Sequence, residues 1–170
     1  MIVNVHERHL PAPPEEVGVL LDRLFAEDDP LWPSRLWPMK RSGELRVGAA
    51  CRHDDVHYSV SEYEPGRRVW FRFTDDDLPG GHGFDVLEAH GGTLLRHTLR
   101  ARPRGKMRIL WPAMVRDAHD ALLEDLLDNA ERELTGRVAT PNRYGVRIRV
   151  LRKLLGRGRR GRTAPATVAG

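Results

Sequence analysis

The spacing of apolar residues changes near Pro103 from the period of a strand to that of a helix, and that change limits the folds available to this chain. Between Leu45 and Arg102, apolar side chains recur at every second residue in several short runs, which is typical of half-buried β-strands. From Met107 onward they recur with the period of an α-helix, in a stripe that ends near Gly136. Pro112 falls near the start of this helix, where we expect it to begin or kink the helix. The order predicts an α+β domain with the helices on one face of an antiparallel sheet.

The clearest pair of strands is the hairpin HYSVSEYEPGRRVWFRFT, residues 57–74. Pro65-Gly66 suits the centre of a type II turn, because proline presets φ and glycine tolerates a positive φ. The register that this turn implies places Glu62 opposite Val69. One face of the hairpin is then apolar and covered, and it carries Tyr58, Val60, Val69, Phe71 and Phe73. The other face is expected to face solvent, and it carries Ser59, Ser61, Arg68, Trp70 and Arg72.

Two further strands, His82–Glu88 and Thr93–Arg102, are separated by Gly91-Gly92. Pairing through these two glycines places Val86 opposite His97. It extends the covered face of the sheet by a second set of side chains, which are Phe84, Val86, Leu95, His97 and Leu99.

The remaining elements lie before the hairpin. Ile2 to Leu10 alternates like a strand, and the segment beginning PEEV at Pro14 predicts a short amphipathic helix, because proline and acids suit a first helical turn. Residues 45–52 predict another strand, which makes six in all. The segment DPLWPSRLWPM, residues 29–39, is too rich in proline for a regular element. Its two tryptophans are expected to cover either one end of the core or the mouth of a pocket.

Length and charge predict one domain and a basic extension. The 170 residues suffice for one core. Nine of the 28 Lys and Arg residues follow Asn142, where there is no acid, so the body is acidic and the end is basic. We therefore predict a domain over residues 1–138 and an extension over residues 139–170, partly helical and then disordered. One cysteine, no apolar run of membrane-spanning length and no signal-peptide pattern make a cytoplasmic location the default expectation.

The order of elements resembles that of the SRPBCC superfamily, the START-like, helix-grip proteins that include polyketide cyclase-like and Bet v 1-like members. The resemblance covers about residues 3–136. It rests on the N-terminal strand followed by PAPPEEV, the hairpin SEYEPGRRVWFRF, the strand GGTLLRHTL and the terminal helix HDALLEDLLDNAERELTG. Each of these motifs is structural and none is catalytic. The resemblance implies a curved antiparallel sheet wrapped around a long C-terminal helix, with a cavity between them for an apolar ligand.

The resemblance therefore implies that the protein binds a small hydrophobic molecule, such as a lipid, a polyketide or an aromatic metabolite. The expected ligand-binding residues are Tyr58, Val60, Phe71, Phe73, Phe84, Val86, Leu95, His97, Leu99, Trp111, Met114 and Leu122. Such pockets are mostly apolar with a few placed polar groups. Tyr58 and His97 are the main candidates here, with His82, Glu62 and His119 as further ones, although His119 is expected on the helix surface.

An enzyme of the polyketide cyclase or aromatase type is the first alternative, with His97 or Tyr58 moving a proton. The structural alternative for His97 is a buried core histidine with a satisfied partner. We expect no metal site, because the eight histidines include no HExxH motif and no close pair at helical ligand spacing. We expect no cofactor either, since there is no glycine-rich phosphate loop.

The second alternative is a docking module that acts through the basic extension. Arg143 to Arg162 could lie on an anionic membrane surface, bind a protein partner or pack on the acidic body. A disordered, solubilising extension is the plainer interpretation. We do not expect nucleic acid as a partner, because the basic residues are not interleaved with aromatic residues that stack on bases.

Overall fold

The computed structural model describes residues 1–34, 37, 45–53 and 56–150. The strands are β1 (Ile2–Leu10), β2 (Ala50–His53), β3 (Val56–Glu64), β4 (Arg68–Phe73), β5 (Gly80–Ala89) and β6 (Gly92–Ala101). The helices are α1 (Pro14–Asp22), α2 (Met107–Leu110) and α3 (Arg116–Thr135), and a π-helical turn, Trp111–Val115, joins the last two.

The six strands form one antiparallel sheet in the order β1-β6-β5-β4-β3-β2. The curved sheet stays open, and α3 packs across its inner face beside β1 and α1. This is the helix-grip arrangement predicted from the sequence. Pro112 lies inside the π-helical turn, as expected of a proline that interrupts the regular hydrogen-bond ladder. Gly136 ends α3 in the left-handed conformation, with a φ of 74°.

The hairpin of β3 and β4 has the predicted register only at its far end. Val60 pairs with Phe71 as expected, but Glu62 lies opposite Trp70 and not opposite Val69. A β-bulge between Val60 and Glu62 causes the shift. A bulge inserts one residue, so it turns the following side chains to the opposite face. Glu62 is therefore exposed and does not reach the covered face as we expected.

The predicted pairing of β5 with β6 is also wrong, by two residues. Val86 lies opposite Leu95, and Phe84 lies opposite His97, because the turn is centred on His90-Gly91 and not on Gly91-Gly92. A shift of two residues preserves the face of every side chain, because the period of a strand is two. The predicted inward set is therefore correct despite the wrong partners.

The core lies between the sheet, α1 and the inner face of α3. Phe71 and Leu95 are fully buried, together with Leu126 and Leu127 of α3. Helix α1 crosses the hairpin turn at van der Waals distance, since a Cβ on Gly18 would lie 2.5 Å from the carbonyl oxygen of Gly66. Gly66 has a φ of 70°, and its N–H donates to Asp22 on α1 at 2.8 Å. In the described part of the chain, no helix is long and apolar enough to cross a membrane.

Candidate functional site

The inner face of β1 is polar, although β1 is an edge of the sheet that α3 covers. Val3 and Val5 are 55% and 49% exposed, so the alternation of the strand turns the residues between them inward. Those inward residues are Asn4, His6 and Arg8. They meet a row of acids on α3 that recurs at helical spacing, formed by Asp120, Glu124, Asp128 and Glu131.

Arg8 forms ion pairs with three of these acids at one end of the contact between β1 and α3. Its guanidinium group binds Glu131 at 2.5 Å, Asp128 at 3.0 Å and Glu124 at 3.2 Å. Asp128 is almost fully buried, so its charge needs this partner. The ion pairs fix the position of α3 along β1, and that position determines which residues of α3 meet His6.

His6 lies between two carboxylates. Its Nδ1 is 2.8 Å from Oε1 of Glu124, and its Nε2 is 3.0 Å from Oδ1 of Asp120. Asn4 also donates to that Asp120 oxygen, at 2.9 Å. Burial opposes ionisation of Asp120, but its contacts with His119, His6 and Asn4 outweigh burial and lower its pKa to about 2. Asp120 is therefore a carboxylate at neutral pH.

His97 lies deeper, at the centre of the inner face. It pairs with His6 across the β1–β6 ladder, and its Nε2 is 3.1 Å from Nδ1 of His82 on β5. Its ring contacts Phe84 at a centroid distance of 4.8 Å. His97 is 1% exposed, and burial, followed by the neighbouring histidines, lowers its pKa well below 6.5. It is therefore a neutral imidazole in an apolar surrounding.

His119 of α3 connects the two regions. Its ring centroid is 5.2 Å from that of His97, 6.1 Å from that of His6 and 5.8 Å from that of Trp111 in the π-helical turn. Burial lowers the pKa of His119, so it too is neutral at neutral pH. We refer to His6, His82, His97 and His119 as the histidine cluster. The interpretation of His119 as a surface residue was wrong, because α3 turns it toward the sheet.

Two nitrogens of the histidine cluster are buried without a hydrogen-bond partner among the described residues. They are Nδ1 of His97 and Nδ1 of His119. Buried polar atoms normally have a partner, and an exception calls for an explanation such as a bound water, ion or ligand. Tyr58 borders the same region, with its ring 5.1 Å from that of His82, and burial raises its pKa. Its hydroxyl is therefore neutral at neutral pH.

Most of the residues predicted to bind a ligand lie together on this inner face. The buried ones on the sheet are Tyr58, Val60, Phe71, Phe73, Phe84, Val86, Leu95, His97 and Leu99, and Trp111 of the π-helical turn packs in the same core. Two residues of the predicted set lie elsewhere. Met114 is 37% exposed, because the π-helical turn rotates it outward. Leu122 packs in a second apolar cluster with Trp37, Ala121 and Ile148, separate from the main core.

That second cluster includes part of the basic extension. Tyr144 donates a short hydrogen bond to Asp125, Asn142 binds Asp125 and Asp128, and Arg147 pairs with Asp117 at 3.2 Å. Residues 146–150 of the extension are helical. Of the alternatives considered for the extension, these contacts correspond to packing on the acidic body. Membrane or partner binding through Arg143 to Arg162 stays a prediction, and residues 151–162 lie outside the described residues.

A groove of about 410 Å³ runs between α3 and residues 142–148. Its lining includes Asp117, Asp120, Glu124 and Tyr144. Since Asp120 and Glu124 also contact His6, the groove reaches one end of the histidine cluster. This groove is distinct from the predicted ligand position, which lies between α3 and the inner face of the sheet.

Comparison with solved structures identifies the fold. A protein from Thermobifida fusca superposes with a TM-score of 0.58 at 11% identity, over 84% of this chain and 100% of that one. XoxI from Bacillus cereus superposes with a TM-score of 0.56 at 14% identity, over 79% of this chain and 96% of that one. CV1439 from Chromobacterium violaceum superposes with a TM-score of 0.54 at 20% identity, over 78% of this chain and 96% of that one. No family model matches the chain, and no curated protein matches it. The likeness therefore extends to the fold alone.

Proposed function

We propose that this protein binds a small, largely apolar molecule that carries a hydroxyl group, between the inner face of the sheet and α3. The proposal includes membership of the SRPBCC superfamily, for which the helix-grip fold is the support. One observation carries it, namely the buried Nδ1 of His97, which has no partner among the described residues and lies on a face of aromatic and aliphatic side chains. A binding site formed by such side chains would take an apolar ligand and orient it through its few polar atoms.

The hydrogen-bond geometry of His97 favours a ligand that donates. A neutral imidazole carries one proton, and its Nε2 faces Nδ1 of His82. If His97 donates through Nε2, its Nδ1 is a bare acceptor. The opposite tautomer would bury an unpaired N–H, and unpaired buried N–H groups are rarer than unpaired acceptors. The preferred tautomer therefore offers Nδ1 to a hydroxyl group.

A matched pair of probes tests this role. The probes are 2-naphthol and 2-methylnaphthalene, which have nearly the same shape but differ in the hydroxyl group. His97→Leu should weaken binding of 2-naphthol by roughly tenfold to a hundredfold, the cost of leaving a desolvated hydroxyl without its acceptor. It should leave binding of 2-methylnaphthalene unchanged or tighter. The control variant is His90→Leu, which changes an exposed histidine at the β5–β6 turn.

Affinities are measured by fluorescence titration, together with the unfolding midpoint of each variant. Equal losses for both probes with a lowered midpoint would assign His97 a structural role only. Absence of binding of either probe to the wild-type protein would contradict the proposal itself.

Acid–base catalysis on a bound carbonyl compound is the second candidate. It is favoured by the convergence of Tyr58, His82 and His97, since a polar cluster inside an apolar site is what proton transfer requires. The probe is 2-tetralone, whose protons next to the carbonyl are acidic. Catalysis predicts that the wild-type protein accelerates exchange of these protons for deuterium in D₂O, followed by NMR, and that His97→Leu abolishes the acceleration. Exchange at the buffer rate with the wild-type protein would exclude this candidate for that substrate class.

A further inference from the structure

Both ring nitrogens of His6 face carboxylate oxygens, and this geometry requires a cation at one of the two nitrogens. A neutral imidazole has one N–H, but both ring nitrogens of His6 lie within 3.0 Å of a carboxylate oxygen. If Nδ1 donates its proton to Glu124, the lone pair of Nε2 points at Oδ1 of Asp120. Two lone pairs at 3.0 Å repel each other unless a cation lies with them. That cation is either a second proton on His6 or a metal ion.

His119 supplies a third ligand atom at the same place. Its Nδ1 is 3.8 Å from the same oxygen of Asp120, too far for a hydrogen bond, and it is buried without another partner in the described chain. One ligand atom from each of His6, His119 and Asp120 lies within 4.8 Å of the other two. Ligands at the usual 2.0–2.1 Å around a tetrahedral zinc ion are about 3.3 Å apart, and the two distances of 3.0 and 3.8 Å bracket that spacing.

We propose that His6 Nε2, His119 Nδ1 and the carboxylate of Asp120 bind one divalent transition-metal ion of the zinc type. Two imidazoles and one carboxylate are a ligand set that such ions accept, and three protein ligands leave a fourth position for water or another ligand. Because Asp120 also lines the groove between α3 and residues 142–148, the ion can enter from there. No local motif indicated this site, because its ligands come from β1 and from α3, which are far apart in the sequence and are brought together only by the fold.

The surroundings support the ion through a second carboxylate. Glu124 accepts the N–H of His6 Nδ1, which orients the ring and directs Nε2 toward the ion, as outer carboxylates do for metal-bound histidines. The positions of Glu124 and Asp120 on either side of the ring therefore leave Nε2 as the ligand atom of His6.

The test uses the full-length protein, stripped with a chelator, and Zn²⁺ or Co²⁺ alone as the probe. Zn²⁺ affinity is measured by competition with a chromogenic chelator, and Co²⁺ reports ligand geometry through its visible absorption. We expect one ion per chain and the intense Co²⁺ absorption of a four-coordinate site. Glu124→Gln should weaken Zn²⁺ binding by about 10- to 100-fold, and His119→Leu should weaken it further. The matched control, His90→Leu, should bind like the wild type.

Circular dichroism establishes that each variant is folded. His119→Leu replaces the ring with an apolar side chain of similar size beside Trp111 and His97, so folding should survive it. A wild-type protein that does not bind Zn²⁺, or a His119→Leu variant that binds it with unchanged affinity, would overturn the proposal. Equal losses in His119→Leu and His90→Leu would overturn it as well. None of these readouts depends on a small organic ligand, so they are independent of the proposed function.

Discussion

The stability of this protein should depend on pH through His97, and a substitution can isolate that dependence. In the folded protein the pKa of His97 lies well below 6.5, because burial and then the neighbouring His119, His82 and His6 disfavour the cation. In the unfolded chain it returns to about 6.5. As the pH falls below 6.5, the unfolded chain takes up a proton that the folded protein does not. The free energy of unfolding therefore decreases with falling pH and is unaffected well above 6.5.

The size of this effect follows from the fraction of unfolded chains that carry the proton. When the pH falls from about 7.5 to about 5.5, a single histidine that stays neutral in the folded state lowers the free energy of unfolding by about 1.4 kcal/mol. His119, whose pKa is also lowered, adds its own contribution in both proteins. The difference between wild type and His97→Leu therefore reports His97 alone.

Urea unfolding at a series of pH values measures this difference. As the pH falls over that range, the free energy of unfolding of the wild type should decrease by about 1.4 kcal/mol more than that of His97→Leu. The m-values of the two proteins should be equal. The control variant, His90→Leu, should follow the wild type, because His90 is exposed. If the free energies of unfolding of wild type and His97→Leu change with pH in parallel, the imidazole titrates normally in the folded protein. The reasoning about its burial would then be refuted.

Two further predictions concern the packing. Phe71→Ala should lower the free energy of unfolding by about 3–5 kcal/mol, whereas Trp70→Ala, on the outer face of the same strand, should cost far less. The reverse order in chemical denaturation would contradict the faces of β4. Ile148→Ala should cost about 2 kcal/mol, because this residue of the extension is buried against α3, and Val150→Ala, at an exposed position, should stay within about 0.5 kcal/mol. Equal melting temperatures for these two variants would show that the extension adds nothing to the stability of the domain.

The sequence predicted the fold because most elements carry their own local signal. The alternation on either side of Pro65-Gly66 and the helical stripe after Pro103 were enough for the order of the elements. The faces of β5 and β6 were also correct, although their register was shifted by two residues. Alternation determines the face of a side chain, whereas the partner depends on where the turn is centred. The bulge beside Ser61 had no local signal, so Glu62 was assigned to the wrong face.

The histidine cluster could only partly be predicted. His97 stood on an apolar face, and its burial followed from alternation alone. The contact of His6 with His119 depends on how α3 lies across β1, which no local pattern determines. A usable signal was present in two places, in the alternation of Asn4, His6 and Arg8 and in the recurrence of acids at Asp120, Glu124 and Asp128. Each pattern by itself is typical of a solvent-exposed face. Only their complementary charges suggest that the β1 residues and the α3 acids face each other.

The central claim is that a small molecule binds beside His97, between the sheet and α3. Isotope-filtered NMR on the labelled full-length protein with unlabelled 2-naphthol tests it most directly, because nuclear Overhauser contacts locate the bound ring. We predict contacts from the naphthol ring to the ring protons of Phe71, Phe84 and His97. Contacts to Tyr144 and Ile148 instead would place the molecule in the outer groove along α3. That result, or the absence of any contact to the inner face at saturating 2-naphthol, would contradict the account.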